Sequence, residues 1–277
     1  MKSDARVKAI IVKELDEVSK KYGTDRRTGL VYDHESYVEE QEEAAPEYPV
    51  TVFVSRQGYL KKITPQSLRM SGEQKFKEGD ALAFSRESTS AAELLVFSDR
   101  CQVYKTRLDV FSDSKASVLG DYLPQKLNMD EGENVAAVCF PGDYQGFMIF
   151  VYENGKAAKV ELSAYATKSN RKKLTGAYSD KSPLKAVFLL TEDAQLVLYS
   201  TEGRALIFST AQLSPKTSRD TQGVAVMTLK KKATLHRAAL LEGSGIVNES
   251  RYRTRTIPAA GAVLKDEDSG NQTLALI

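Results

Sequence analysis

The segment YATKSNRKKLTGA, residues 165–177, packs Lys168, Arg171, Lys172 and Lys173 into six positions of a chain whose formal net charge is only +2. Cations interleaved with serine, asparagine and threonine combine positive charge with neutral donors, the set of groups that grips phosphate oxygens. A lone run of this kind also suits an ordinary solvated loop, so recurrence is what gives it weight. PQSLRMSGEQKFKEG carries Arg69, Lys75 and Lys77, and TRLDVFSDSKASVLG carries Arg107 and Lys115. SPKTSRDTQG carries Lys216 and Arg219, and RYRTRTIPAAG carries Arg251, Arg253 and Arg255. No other chemistry assembles. The histidines, His34 and His236, are not near a cysteine pair; zinc-ligand spacing and a Walker-type phosphate loop are both missing. His236, in ATLHRAAL, reads as a strand residue. Cys101 and Cys139 read as small core residues of a protein in a reducing compartment. The chain alone is therefore expected to be no enzyme, with no catalytic residue, metal or cofactor.

The elements that must position these cations repeat with them. VTVFVSRQGYLKKI (50–63), ELLVFSDRCQVYKT (93–106), FMIFVYENGKAAKV (147–160) and QLVLYSTEGRALIF (195–208) each read as an apolar run, a short polar turn and a second run of alternating character, a β-hairpin. Asn154-Gly155 predicts a type I′ turn, with positive φ at both central residues. Gly58 and Gly203 occupy the matching turn, and Arg100 takes that place in the second copy, giving spacings of 42, 55 and 48 residues. The later segments DALAFSRE, ENVAAVCF, PLKAVFLL and VAVMTLKK raise each repeat to about four strands. Repeats of this length predict blades arranged around one axis. Four are clear and a degenerate fifth falls in RYRTRTIPAAGAVLKDED, with QTLALI as a closing strand. The expectation is all-β, about five four-stranded blades with six possible. Blades sharing an axis set the basic loops at similar heights, as a belt on the rim. Such a belt predicts phosphate contacts, steep salt dependence and bending of double-stranded DNA. The alternative is a propeller-type protein-interaction scaffold with solvated basic loops.

The N-terminus differs from the repeats. Val7, Ile11, Leu15, Val18 and Tyr22 share one helix face, Asp16–Lys20 and Glu17–Lys21 are i,i+4 pairs, and Gly23 supplies a stop. Residues 1–48 hold 8 basic and 12 acidic side chains, leaving 31 and 25 for the rest. The run DHESYVEEQEEAAPEYP, residues 33–49, has seven acids and no base. The expected division is 1–30 as the helical tail of a preceding domain, 31–48 as an acidic linker, and 49–277 as the β-domain. No apolar run reaches membrane-span length and no secretory signal opens the chain, which predicts a cytoplasmic protein.

VFVSRQGYLKKITPQSL resembles the first blade of the C-terminal domain found in the A subunits of type IIA DNA topoisomerases, the family of DNA gyrase and topoisomerase IV. TSRDTQGVAVMTLK is similar to that family's recurring R-x-x-x-G-V segment, and KELDEVSKKYGTDRRTGLVYD resembles the end of the long helix that closes its breakage-reunion domain. The resemblance implies a β-pinwheel, in which neighbouring blades exchange strands, preceded by a short N-terminal α-helix. It implies duplex DNA on the outer rim, a bacterial nucleoid setting, and a dimeric intact subunit partnered by the ATPase-bearing B subunit of the topoisomerase. The fragment itself is expected to be monomeric, with the catalytic tyrosine upstream. The A subunits of gyrase usually carry a Q-R-R-G-G-K-G box after the first hairpin; here the place reads RMSGEQKFKEG. Gly72, Gln74 and Lys75 keep some of its character, but the paired arginines and double glycine are gone. The departure leans toward topoisomerase IV or a gyrase relative with reduced wrapping.

Overall fold

The computed structural model describes residues 4–24, 47–70, 73–167 and 172–268. The chain divides into two units, Met1–Ala44 and Ala45–Ile277. In the first, α1 spans Asp4–Tyr22, as the apolar periodicity predicts, and none of its residues is buried. Its end is closed by the Gly23 N–H donating to the Ser19 carbonyl at 2.8 Å. Most of the acidic run, and QTLALI, lie outside the described residues.

The described residues of the second unit form four four-stranded antiparallel sheets, or blades. Blade 1 pairs β1 (Pro49–Ser55) with β2 (Tyr59–Ile63) as a hairpin; after a short helix α2 (Pro65–Met70), β3 (Leu82–Thr89) lies beside β1. Blade 2 begins with the hairpin of β4 (Glu93–Ser98) and β5 (Gln102–Arg107). The chain then returns to blade 1, where β6 (Asp121–Tyr122) adds to the open edge of β2, before β7 (Val135–Cys139) joins β4. Blade 3 repeats the path. After the hairpin of β8 (Phe147–Tyr152) and β9 (Lys156–Glu161), β10 (Lys173–Thr175) adds to β5 of blade 2 and β11 (Leu184–Leu190) joins β8. Blade 4 has β12 (Gln195–Ser200) and β13 (Arg204–Ser209); β14 (Val224–Ala225) adds to β9 of blade 3, β15 (Leu235–Leu240) joins β12, and β16 (Ala262–Val263) adds to β13. The outermost strand of every blade is thus supplied from the following repeat, the exchange that defines a pinwheel.

Three expectations change. VAVMTLKK does not complete the fourth blade: Val224 and Ala225 serve blade 3, and the fourth copy's own strand is β15, which contains His236. Among the described residues there are four blades, not about five. The fifth copy supplies β16 and the helical turn Glu249–Tyr252 but no hairpin, because LEGSGIVNES has too few apolar residues to build one. The turns are also not type I′. The N–H groups of Gly58, Gly155 and Gly203 donate to the carbonyls of Ser55, Tyr152 and Ser200 at 3.0, 3.1 and 3.0 Å. Only the last turn residue is left-handed: φ is +85°, +77° and +66° at the glycines, and +56° at Cys101, which takes the place expected of Arg100. That pattern fits a three-residue hairpin loop ending in a left-handed residue. Cys101 is therefore a half-buried turn residue, whereas Cys139 is a core residue whose thiol burial pushes up to about 12.

The blades stack through both faces. Val50, Val52 and Leu60 meet Leu94, Val96 and Val138 between blades 1 and 2. Leu95, Phe97 and Val103 meet Met148, Phe150 and Val160 between blades 2 and 3. Ile149 and Val151 meet Leu196, Leu198 and Phe208 between blades 3 and 4. Successive strand residues point to opposite faces, so a sheet covered on both sides needs the continuous runs LLVF, MIFVY and LVLY rather than alternation. Beyond blade 4, Val197, Tyr199 and Ile207 are closed over by Ile246, Tyr252 and Leu264. Among the described residues no apolar cluster joins blade 4 to blade 1.

Candidate nucleic-acid interface

The basic loops are tied to the preceding blade by one repeated pair of attachments. Four positions after each turn residue stand Lys62, Lys105, Lys159 and Ile207. Their backbones bond the next copy's loop: Ser114 N–H to the Lys62 carbonyl (2.8 Å), Lys105 N–H to the Lys172 carbonyl (2.8 Å), Lys216 N–H to the Lys159 carbonyl (2.9 Å), and Thr254 N–H to the Ile207 carbonyl (2.9 Å). The second attachment falls on the turn carbonyls. Leu123, Ala177, Val226 and Leu264 donate their N–H groups to Gly58, Cys101, Gly155 and Gly203 at 2.8–2.9 Å. Between the two, three loops pass so close that only glycine fits. A Cβ on Gly120, Gly223 or Gly261 would stand 2.3, 2.2 or 2.5 Å from the carbonyl oxygens of Leu60, Ala157 and Ala205. This is the physical reason for the glycine in TSRDTQGVAV.

The strand exchange brings cations of different repeats together. β10 pairing with β5 sets Lys172 and Lys173 of copy three beside Arg107 of copy two, around a hollow of about 740 Å3 that Lys105 and Lys126 also line. Arg219 lines a second hollow of about 420 Å3, with Thr175 of the preceding copy and Ser218. Arg253 and Arg255 line a third of about 500 Å3, and Arg69 lines one of about 320 Å3 beside β1 and Glu87. Lys75, Lys77, Lys115 and Lys216 are exposed on their loops, and Arg251 is exposed on the helical turn Glu249–Tyr252, outside these hollows. Lys168 and Arg171 lie outside the described residues.

Not every cation is equally available. Arg107 pairs with Asp109 (2.9 Å), Lys173 with Asp130 (2.8 Å) and Arg253 with Glu249 (2.6 Å). The Lys173 hydrogen bond lowers the Asp130 pKa, and Asp130 raises that of Lys173. One Arg219 guanidinium nitrogen donates to the Ala164 carbonyl at 3.0 Å. Arg69, Lys75, Lys77, Lys115, Lys172, Lys216, Arg251 and Arg255 have no carboxylate partner among the described residues. Exposed pairs contribute little to stability, and a phosphate competes for the same cation.

Sequence reasoning missed three lysines with a different task. Lys62 pairs with Asp113 (3.1 Å) under the Tyr48 ring, Lys105 with Glu93 (3.0 Å) under Tyr144, and Lys159 with Asp193 (2.6 Å) under Phe147. Lys62 and Lys159 are buried, and the Lys105 side chain is only 12% exposed. These cations serve the fold. Their signal was a lysine at the same offset from the turn in three of four copies. Lys126 had no such signal; tertiary folding alone brings it to the large hollow.

The model of the DNA gyrase C-terminal domain, beta-propeller family matches residues 194–241, which frame the blade 4 hairpin and β15. The A subunit of DNA gyrase from Borrelia hermsii is 22% identical over 267 residues, covering 92% of this chain and 33% of that protein. The A subunit of DNA topoisomerase 4 from Staphylococcus epidermidis is 27% identical over 227 residues, covering 80% and 28%. A crystal structure of the C-terminal domain of DNA topoisomerase IV superimposes with a TM-score of 0.63 at 25% identity, over 73% of this chain and 64% of that one. The chain is thus similar, in sequence and in fold, to the C-terminal domains of the A subunits of type IIA DNA topoisomerases. The DNA gyrase A C-terminal domain, at a TM-score of 0.52 and 16% identity, shares the fold. The chain spans about a third of the length of the curated relatives it matches. Among its described residues, no helix is long and apolar enough to cross a membrane.

Proposed function

We propose that this chain binds double-stranded DNA through phosphate contacts to its basic loops. It bends or wraps the duplex and presents it for strand passage by an ATP-dependent type II DNA topoisomerase. One observation carries the reading: the loops of copies two to five are attached at the same two points of successive blades, so their cations recur at equivalent stations along the row. Phosphates recur along a duplex in the same regular way, and each one neutralised releases counterion. Lys115, Lys172, Lys216 and Arg255 are the exposed cations at these stations with no carboxylate partner among the described residues; Arg107, Lys173, Arg219 and Arg253 add to them once their local partners are displaced. Cleavage and ATP hydrolysis belong to a breakage-reunion domain and to the B subunit of the same enzyme, with the intact subunit dimeric and the setting a bacterial cytoplasm. Loss of the gyrase box supports a topoisomerase IV-like role, bending rather than tight wrapping.

The test uses a singly nicked circular plasmid, ligated in excess protein and then stripped of it. A dose-dependent shift in linking number means wrapping of defined hand and a gyrase-like role. No shift, with binding retained at low salt, supports bending. Neither shift nor binding favours the protein scaffold. Reversing Arg171, Lys172 and Lys173 to glutamate is expected to weaken binding on all sequences alike; unchanged affinity would sink the belt.

A further inference from the structure

Among the described residues no blade precedes blade 1, and its basic loop makes none of the attachments to a preceding blade that the other loops use. The loop runs straight into β3, with the Ala81 carbonyl accepting from Arg56 N–H of the same blade at 2.9 Å. Gly79 has a φ of +75°, yet a Cβ there would meet nothing within 4 Å, unlike Gly120, Gly223 and Gly261. A buried side chain joins the contacts that hold this loop. Lys61 on β2 is 3% exposed, and no carboxylate pairs with it among the described residues. Its ammonium donates to the Lys75 carbonyl (2.6 Å), the Ala116 carbonyl (3.0 Å) and Gln74 Oε1 (3.4 Å), and lies 5.2 Å from the Phe76 ring centroid. The Ala116 carbonyl also accepts from Lys75 N–H at 2.9 Å. A strand of blade 1, the first basic loop and the second basic loop therefore meet at one nitrogen. An ammonium has three donors and no acceptor, which suits three acceptors on separate segments; burying it without a counter-charge is otherwise unfavourable.

We propose that Lys61 is a positioning residue for the DNA interface: it clasps residues 74–76 against Ala116, so that Lys75 and Lys77 stand beside Lys115 and carry the basic surface to the end of the row. This rests on the DNA-binding reading above. Lys75, Lys77 and Lys115 are exposed, so the clasp orders their backbones and leaves their side chains for phosphate. The neighbouring Lys62, paired with Asp113, has no such role.

The test has two arms on the full chain. In the first, without DNA, amide hydrogen exchange is measured in wild type, Lys61→Met and Lys61→Arg. Lys61→Met is expected to speed exchange across residues 73–77 at least about tenfold, with blades 2–4 unchanged and Lys61→Arg partly restoring protection. In the second, affinity for a short duplex is measured against salt. Lys61→Met is expected to lower the salt slope by about the two contacts that Lys75→Ala/Lys77→Ala removes, roughly 0.9 each. Adding that double substitution to Lys61→Met is expected to change nothing further. If Lys61→Met does not fold, Gln74→Ala/Phe76→Ala loosens the same clasp with Lys61 intact and is expected to act in the same direction. Unchanged exchange at 73–77, or fully additive losses of affinity, would overturn the proposal. Wild type that binds no DNA would overturn the DNA reading and with it the interface role of Lys61, while the exchange arm still decides whether the clasp exists.

Discussion

The loop after β9 of blade 3 and the loop after β2 of blade 1 serve matching places in the repeat and are held by opposite means. The blade 3 loop reaches blade 2 through the Lys172 carbonyl, a strand, and the Ala177 N–H. Any sequence that supplies a short strand and the right spacing can make such bonds, and the same attachment recurs at four seams. The blade 1 loop pairs with no strand of a preceding blade among the described residues; beside one backbone bond, from Lys75 N–H to the Ala116 carbonyl, it is held by the ammonium of Lys61. Backbone attachment is repeated and resists single substitutions, except where glycine is required. The Lys61 attachment rests on one ammonium, and one substitution removes it.

The largest expected effect breaks a seam. Gly223→Ala would place a Cβ 2.2 Å from the Ala157 carbonyl oxygen at a φ of +69°. A cost of about 3 kcal/mol or more is expected, with β14 released, read by chemical denaturation and by exchange at Val226. Gly203→Ala is the control: φ is +66° but nothing lies within 4 Å. Only the left-handed strain remains, about 1–2 kcal/mol. Equal losses in the two variants would mean that close approach is not what defines the seam. Lys61→Met is expected to cost less again, about 1 kcal/mol, because lost hydrogen bonds are offset by relieved desolvation; its effect should stay within residues 73–77.

Acid and base should act differently on the two buried lysines, Lys159 with its carboxylate partner and Lys61 without one. Asp193, beside the seam of blades 3 and 4, has its pKa held below 3.8 chiefly by the hydrogen bond from Lys159. Its contribution is present above pH 3.8 and is lost as pH falls through the lowered folded value. Lys61 has its pKa lowered from 10.5 by desolvation. The folded protein sheds that proton before the unfolded chain does, so wild type should gain stability relative to Lys61→Met as pH rises towards 10.5. Urea denaturation across pH checks both; a wild-type advantage that shrinks with alkali would reverse the assignment for Lys61. The smallest effect sharpens the contrast among cations. Asp130→Asn frees Lys173 and should tighten DNA binding at low salt about twofold to fivefold, with no matching change expected from Asp113→Asn, whose partner Lys62 is buried.

The hairpins are legible in the order of residues alone, because a strand covered on both faces must be apolar along its length, and FMIFVY or QLVLYS has few other uses. So is the rule that cations follow each hairpin, since composition at a fixed offset needs no coordinates. The blade count is not legible: the fifth basic segment looks like its predecessors until the lack of a hairpin leaves it as an edge strand for blade 4. The destination of the outer strands is likewise a matter of folding. β6, β14 and β16 are two residues long, too short for periodicity or propensity to register, and their pairing is fixed by backbone bonds to another repeat. Folding also sorts the lysines that serve structure from those left to solvent. Lys61 and Lys62 are adjacent and chemically identical, but strand alternation sends them to opposite faces of β2, one to a cluster of carbonyls and the other to an aspartate, and charge alone cannot distinguish two such neighbours.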